Sequence, residues 1–410
     1  MEAISIVFYS YIFISLYMLI LFVLIYVNSR KELFYYPKGK PEGVSIIMPC
    51  YNESETIGEA IESLLKLDYP KKMIEIIVVD DKSKDNSADV VRKYSRKYKN
   101  VRLIVNKRNS GGAAEPTNIG VKAAKFDYVA VADADSTPDR DALMKMIGFL
   151  QADEKVGGVT CYVRAGNRNK FFEKLQAVEY AVIAFTRKLL DGVDAVYVTP
   201  GPFALYRKNV LIEIGLFDTE NLTQDIEIVW RMVKNGYKSR MCLATGVSSV
   251  TPSKLRGWWR QRIRWNLGGQ QTILKYKGFF LRKGMLGAFI LPFFVVSLFL
   301  GLFGLSLFVY LFVRRVLFSY LATKFSLSVG TDLLALSEVN LSLSVLNFFG
   351  IVLFILGALF AVVALTIMQE EKLRNENPFM ILFFLLVYLA LYPLVLITSV
   401  YKHIRGDFKW

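Results

Sequence analysis

The sequence predicts an α/β domain combined with transmembrane helices. Three observations predict it: short β-rich runs alternating with amphipathic helices, acidic residues placed just after those runs, and long uncharged stretches on both sides of the region. Composition agrees. Hydrophobic residues make up 53% of the 410-residue chain and aromatics 14%, beyond an ordinary soluble enzyme, while 21% of residues are charged and must largely face water.

No charged residue occurs from Ala3 to Val27, and Arg30 and Lys31 follow directly. This reads as an N-terminal transmembrane segment, residues 1–30, with a positive, cytoplasmic exit. The apolar run is too long for a signal peptide and lacks both a basic start and a small-residue cleavage site.

From Lys38 the pattern changes. Val44–Pro49 and Ile74–Val79 are β-rich runs ending in turn residues, and Ile57, Ala60, Ile61, Leu64 and Leu65 fall on one face of a helix between them. Val101–Val105 and Tyr128–Ala132 continue the strands, with helices expected around Asp89–Tyr98 and Pro116–Lys125. Such alternation specifies a doubly wound sheet, whose ligands bind beyond the carboxyl ends of the strands.

The residues at those ends are Cys50-Tyr51-Asn52-Glu53, Asp80-Asp81 and Asp133-Ala134-Asp135. A lone Asp-x-Asp is more often a solvated turn than a ligand set. Beside two other acidic strand ends it suits Mg²⁺ or Mn²⁺ held together with a diphosphate, because such ions take few protein carboxylates and complete their shell with substrate oxygens. No Gly-x-Gly-x-x-Gly or Walker motif follows any strand. Asn109-Ser110-Gly111-Gly112-Ala113-Ala114 lacks the lysine and spacing of a P-loop, so dinucleotide redox and P-loop chemistry are unsupported.

Further along, Gly201–Tyr206 is a turn and short apolar run. Thr223-Gln224-Asp225-Ile226-Glu227 then opens a helix carrying Ile226, Val229, Trp230 and Val233. Thr223 is placed to cap it, with Asp225 and Glu227 as first-turn acids and Gly236 at its end. Helix initiation alone accounts for those acids.

Three scattered cysteines, Cys50, Cys161 and Cys242, argue against a disulfide framework or a cysteine zinc site. A single histidine, His403, excludes a Ser-His-Asp triad and a histidine metal cluster, leaving acid–base and metal work to carboxylates. The net charge of +15 follows either from basic cytoplasmic loops or from a surface attracting anionic lipid or a phosphorylated substrate. No nucleic-acid-binding motif is visible.

Residues 255–266, Leu-Arg-Gly-Trp-Trp-Arg-Gln-Arg-Ile-Arg-Trp-Asn, hold three indoles and four arginines. The mixture suits a snorkelling membrane-surface helix and equally a site for a phosphorylated sugar. Beyond it, Leu286–Val313, Val345–Ile367 and Phe379–Tyr401 are uncharged and long enough to span a bilayer, for about four spans in all. Residues 314–343 are mixed and suit an interface. With four spans the basic tail Lys402-His403-Ile404-Arg405 falls opposite a cytoplasmic domain, against the positive-inside tendency.

Taken together, Asp80-Asp81, Asp133-Ala134-Asp135, Thr223-Gln224-Asp225 and Gln261-Arg262-Ile263-Arg264-Trp265, in this order and flanked by membrane helices, resemble the membrane-integrated inverting glycosyltransferases of family 2. The closest likeness is to the cellulose, hyaluronan and poly-N-acetylglucosamine synthase branch with its D, DxD, TED, QxxRW signature. The likeness covers roughly residues 44–275. It implies a GT-A (Rossmann-like) domain over 38–250, interfacial helices with the QxxRW element over 251–284, and a transmembrane region over 285–410.

Carried over residue by residue, the resemblance implies that Tyr51, Glu53 and Asp81 hold the nucleobase and ribose. It implies that Asp133 contacts the donor and Asp135 the metal, Mg²⁺ or Mn²⁺. Asp225 becomes the general base, Gln261 and Arg264 hold the diphosphate, and Thr223, Gln224 and Trp265 line the acceptor. Two departures stand out: Gln224 occupies the position where the family usually has Glu, and Ala113 replaces a lysine common in its Gly-Gly-Lys-Ala-Gly-Ala-Leu-Asn-like run, where Glu115-Pro116 also replace small residues.

The expected function is therefore β-linking transfer of a hexose from a UDP- or GDP-linked sugar to a membrane-held glycan, a lipid-linked oligosaccharide or glycolipid, by an integral cell-membrane enzyme with a cytoplasmic catalytic domain. The small number of spans favours this over a processive polysaccharide synthase. A dolichyl-phosphate sugar synthase is disfavoured because it lacks the Gln-x-x-Arg-Trp element, and an inactive scaffold or transporter by the intact acidic set. No nucleic-acid partner is expected.

Overall fold

The computed structural model describes residues 2–282, 284–329, 345–368, 378–388 and 391–408. Helix α1 (Glu2–Ser29) precedes an α/β region of β1 (Val44–Cys50), α2 (Ile57–Leu65), β2 (Ile74–Asp80), α3 (Ser87–Lys97), β3 (Val101–Val105), α4 (Ala114–Ala123) and β4 (Tyr128–Ala132). Next come β5 (Ser136–Pro138), α5 (Ala142–Ala152), β6 (Val156–Ala165), α6 (Phe171–Asp191), β7 (Phe203–Arg207), α7 (Lys208–Glu213), α8 (Gln224–Lys234) and β8 (Lys238–Ser249). Helix α9 (Leu255–Tyr276), α10 (Leu291–Val329), preceded by a π-helical turn, and α11 (Val345–Ile367) follow, with a C-terminal helix over Tyr392–Ile404.

The eight strands form one sheet in the order β3-β2-β1-β4-β7-β6-β8-β5. The first four run parallel, as a doubly wound pattern requires. Past β4 the sheet becomes mixed: β7 is antiparallel to both β4 and β6, while β6 and β8 are parallel. Only Phe203–Arg207 among these later strands coincides with an apolar run singled out above. Strands β1 and β2 are buried almost throughout, which is why they read as continuous apolar runs rather than alternating ones. Helices α2 and α5 cover one face of the sheet around Ile57, Ile61, Leu143 and Ile147, and α4, α7 and α8 cover the other around Val121, Leu211 and Ile228.

Helix α4 starts two residues earlier than the sequence suggested, because Pro116 is tolerated within the first turn, where its missing N–H has no intrahelical acceptor.

Among the described residues three helices are long and apolar enough to cross a membrane: Ile6–Ser29, Leu286–Gly304 and Phe379–Ile404. They correspond to three of the four expected spans. The fourth, Val345–Ile367, is an uncharged 23-residue helix, α11, whose described apolar stretch is Phe354–Ile367. Residues 314–329 continue α10 as helix, and the rest of the expected interfacial segment to 343 lies outside the described residues. Helix α1 packs on α6, α10 and α11, and α9 packs on α8 and the C-terminal helix.

Candidate active site

The parallel register brings the acidic strand ends to one edge. Cys50 lies opposite Asp80, and Ile47 opposite Val131, so the turns after β1, β2 and β4 leave the sheet side by side. After β1, Tyr51 is 40% exposed and Asn52 adopts a left-handed φ of 56°. Glu53 anchors the turn: its backbone N–H donates to Ser87 Oγ (2.8 Å), and its Oε2 accepts from Thr56 Oγ1 (2.9 Å). Burial raises the Glu53 pKa, with Asp135 and Asp85 adding to the shift and Thr56 opposing it.

Asp81 is almost fully enclosed. Its Oδ1 accepts from Asn106 Nδ2 (2.8 Å), and its Oδ2 accepts from the Ser110 N–H (2.8 Å) and Oγ (2.7 Å). The Asn109–Ala114 run, unproductive as a phosphate loop in the sequence, is thus tied to Asp81.

Asp133 and Asp135 follow β4. A side chain at Gly201 would place its Cβ 2.9 and 3.0 Å from the two Asp133 carboxylate oxygens, so the turn before β7 rests directly on that carboxylate. Burial, reinforced by Asp135 and Asp225 and opposed by Arg264, raises the Asp133 pKa to about 7. Asp135 Oδ1 accepts from Ser136 Oγ (2.9 Å) and, at 3.5 Å, from Ser249 Oγ at the end of β8. Burial raises the Asp135 pKa as well.

Asp225 sits in the first turn of α8. Its Oδ1 accepts from the Ile226 N–H (3.1 Å), and its carbonyl accepts from the Thr199 N–H (3.3 Å). Burial raises its pKa against the opposing charges of Arg264 and Arg187. Burial likewise lowers the pKa of Arg264, opposed by Asp225 and Asp133. Thr223 occupies the N-cap position but makes no side-chain cap; its hydroxyl donates instead to Asn221 Oδ1 (3.3 Å). Gln224 Oε1 is buried and has no partner among the described residues.

Helix α9 closes the site. Positions 261, 264, 265 and 268 share one helical face, and 258 and 262 a neighbouring one. A Cβ at Gly268 would fall 2.1 Å from Thr223 Oγ1, so glycine lets α9 lie directly against the residue before Gln224 and Asp225. Gln271 Oε1 accepts from the Leu222 N–H (3.0 Å), and Asn221 Nδ2 donates to Thr272 Oγ1 (2.9 Å), fixing the same approach.

On the neighbouring face Arg262 is fully buried. It pairs with Glu179 of α6 (Nε to Oε1 3.0 Å) and donates to Tyr392 Oη (3.1 Å), and Tyr388 also donates to Glu179. Its guanidinium lies 4.1 Å from the Trp265 ring centroid, and its Nη1 donates to Gln261 Oε1 (2.6 Å). Trp265 also faces Tyr180, with centroids 6.5 Å apart. Trp258, in a stretch whose composition also suits a membrane surface, is 0% exposed and enclosed by Phe172, Tyr388 and Tyr392. The indole serves as a core side chain between α9, α6 and the C-terminal helices.

Of the residues singled out in the sequence, the structure brings Asp133 into electrostatic range of Glu53, Asp135, Asp225 and Arg264, with Asp81 at the same sheet edge and Gln261 and Trp265 on the closing helix. Glu179, Arg187, Gly201 and Ser249 escaped the sequence readings. No periodicity links Glu179 to Arg262 across 83 residues, and only the three-dimensional packing joins them.

Among the described residues no group of three or more His, Cys, Asp or Glu side chains converges into a metal cage. The donor set still fits a divalent ion held with a diphosphate. Burial, reinforced by the neighbouring carboxylates of Asp135, Asp225 and Glu53, lifts Asp133 to about 7, and Mg²⁺ or Mn²⁺ held through one or two carboxylates keeps positions for phosphate oxygens.

A family model described as "Glycosyltransferase like family 2" matches residues 41–268. The poly-beta-1,6-N-acetyl-D-glucosamine synthase of Staphylococcus aureus is 34% identical over 272 residues, 64% of this chain and 65% of that protein. The counterpart from Staphylococcus epidermidis is 34% identical over 237 residues, 57% of this chain and 56% of that one. The chain thus spans a little under two thirds of the length of the curated relatives it matches. Among solved structures, a mannosyltransferase from Pyrobaculum calidifontis in complex with GDP-Man and Mn²⁺ matches over 99% of both chains, with a TM-score of 0.64 and 20% identity, a likeness of fold. The mixed sheet is accordingly of the GT-A type.

Proposed function

The chain belongs to glycosyltransferase family 2, and from that premise we propose that it transfers a hexose, with inversion, from a nucleotide-diphosphate sugar to a membrane-held glycan acceptor. The observation that carries this reading is the meeting of Asp133 and Asp135 with Asp225 and Arg264 at one sheet edge, beneath α9.

In this mechanism Tyr51, Glu53 and Asp81 hold the nucleoside, and Asp133 positions the donor sugar. Asp225 accepts the proton of the acceptor hydroxyl. The freed oxygen attacks the anomeric carbon from the side opposite the diphosphate, the carbon–oxygen bond to the diphosphate breaks, and its electron pair leaves with the nucleotide. Arg264 and Gln261 offset the charge growing on that leaving group. Asp135 would hold Mg²⁺ or Mn²⁺, which supplies further charge compensation when bound. Thr223, Gln224 and Trp265 line the acceptor side, Trp265 offering a ring face to a sugar.

Membrane placement rests on the three apolar helices. With one crossing before the catalytic region and two after it, the spans among the described residues would return the basic tail, Lys402 and Arg405, to the same side as that region and leave Arg314 and Arg315 on the other. The acceptor is proposed to be a lipid-linked oligosaccharide or glycolipid. A second reading, processive synthesis of a polysaccharide, is favoured by the 34% identity to proteins named as poly-beta-1,6-N-acetyl-D-glucosamine synthases.

The test is incubation of the purified enzyme with labelled UDP- and GDP-sugars, Mn²⁺ and lipid-linked acceptors, followed by product sizing. Single addition that requires the lipid acceptor is expected; long polymer formed without it would establish the second reading. Asp225→Asn should bind donor within about twofold of the parent and lose transfer by roughly a thousandfold, since general-base removal costs about 10²–10⁴. Parallel loss of donor affinity would remove Asp225 from the role of base.

A further inference from the structure

Arg187, near the C-terminal end of α6, is 8% exposed, and its Nε is buried with no hydrogen-bond partner among the described residues. Its neighbours are treated differently. Lys188, equally buried, donates to Asp191 Oδ2 (2.7 Å) and to the Met241 carbonyl (2.9 Å), and Arg262 is matched by Glu179. Among the described residues Arg187 has no carboxylate within 4.0 Å, although Asp225 feels its charge. Burying the Nε–H of a charged guanidinium without an acceptor is costly, so the position is explained best by a ligand that brings one.

The surroundings indicate where that ligand lies. The guanidinium stands 5.9 Å from the Tyr197 ring centroid. Two residues on, Thr199 donates its N–H to the Asp225 carbonyl, so this short segment runs from the Arg187 guanidinium to the turn carrying Asp225. The other side of Tyr197 packs edge-on against Phe294, 4.6 Å between centroids, within the apolar helix Leu286–Gly304. Leu190, Trp230, Leu286 and Ile290 form the same apolar cluster, with Phe22 of α1 packed against it. Arg187 thus stands between Asp225 and the meeting point of two candidate membrane helices.

We propose that Arg187 is an acceptor-binding residue that takes an oxyanion, phosphate or carboxylate, carried by the acceptor on the membrane side of Asp225. A planar guanidinium with unused N–H groups is suited to two-point binding of such a group, with the Tyr197 ring against it. This rests on the reading of Asp225 as the residue nearest the acceptor hydroxyl. The oxyanion belongs either to the lipid carrier or to an acidic sugar.

The full-length enzyme in phosphatidylcholine nanodiscs is titrated with undecyl phosphate, glucose 6-phosphate and the neutral octyl β-glucoside. Arg187→Gln should weaken binding of at least one anion by about tenfold or more, as expected on losing a charge-assisted pair, and leave the neutral glucoside unchanged. Loss confined to undecyl phosphate identifies the lipid carrier as the source, and loss confined to glucose 6-phosphate identifies the sugar. UDP-sugar and GDP-sugar affinity with Mn²⁺ should stay within about twofold.

Arg187→Met adds a readout that a packing role would not give. Removing an unmatched buried charge should hold or raise the thermal midpoint of the ligand-free enzyme, whereas a structural arginine would lower it. An equal loss of nucleotide-sugar binding, an equal loss for the neutral glucoside, unchanged binding of both anions, or a lowered midpoint for Arg187→Met would each overturn the proposal. Absence of turnover with every donor would instead count against the transferase reading, while an Arg187-dependent difference in anion binding would persist.

Discussion

Gly268→Ala isolates the contact by which α9 meets the Thr223–Asp225 turn. The added Cβ would fall 2.1 Å from Thr223 Oγ1, 2.6 Å from its Cγ2 and 2.7 Å from its Cβ, whereas ordinary contact begins at 3.4 Å. The elements must therefore separate by 3.4 − 2.1, or about 1.3 Å. Thr223 cannot rotate out of the way, because its own Cβ is among the clashing atoms. Either α9 retreats with Arg264 and Trp265, or the turn retreats with Asp225. Overpacking of this kind costs about 1–3 kcal/mol. A displacement near 1 Å between catalytic groups costs about a hundredfold in rate. Nucleotide release at saturating donor and Mn²⁺, measured beside a thermal melt, should show the rate falling far more than stability. Gly269→Ala is the control, because a Cβ there meets nothing within 4 Å, and on helix propensity it should gain up to about 1 kcal/mol. Parental turnover in Gly268→Ala, or an equal loss in Gly269→Ala, would refute the reasoning.

Other expectations concern charge. Glu179→Gln leaves the fully buried Arg262 without its carboxylate and should cost about 3–5 kcal/mol, read as a lowered melting midpoint, while the pair of changes Glu179→Gln and Arg262→Met should be milder than the single one. Asp135→Asn should raise the Mn²⁺ concentration needed for half-maximal turnover by tenfold or more, checked by metal titration after chelation, with nucleoside binding through Asp81 preserved. Because burial raises the Asp225 pKa, its basic form is lost as pH falls at a value above the usual aspartate range of about 3.9. The acid limb of kcat should therefore lie above that range and vanish in any residual activity of Asp225→Asn.

Much of the parallel half of the sheet was legible because β1, β2 and β4 are buried on both faces and read as unbroken apolar runs with polar ends. The antiparallel and mixed half was not. Strands β6 and β8 carry glycines, polar side chains and, in β6 against β8, irregular register, so neither shows a clean period. The site was legible as residue types at strand ends and helix starts, where turn chemistry leaves polar groups facing one edge. Its partners were not: Gly201 touches Asp133 from 68 positions away, and Arg187 reaches the neighbourhood of Asp225 from another helix.

The tryptophans show the same division. Side-chain chemistry made residues 255–266 compatible with both a bilayer surface and a sugar-phosphate site, and periodicity could place them on a helix. Which face turned inward depended on what packed against it. Trp258 and Arg262 face Glu179, Tyr388 and Tyr392, while Gly268 brings the adjacent stripe onto Thr223. The sequence by itself determined the α/β class, the apolar helices and the acidic constellation, because these follow from local pattern. Only the tertiary structure decided which charges are matched, which indole is core, and which buried arginine is left without a carboxylate beside it, because burial and pairing depend on residues far apart in the chain.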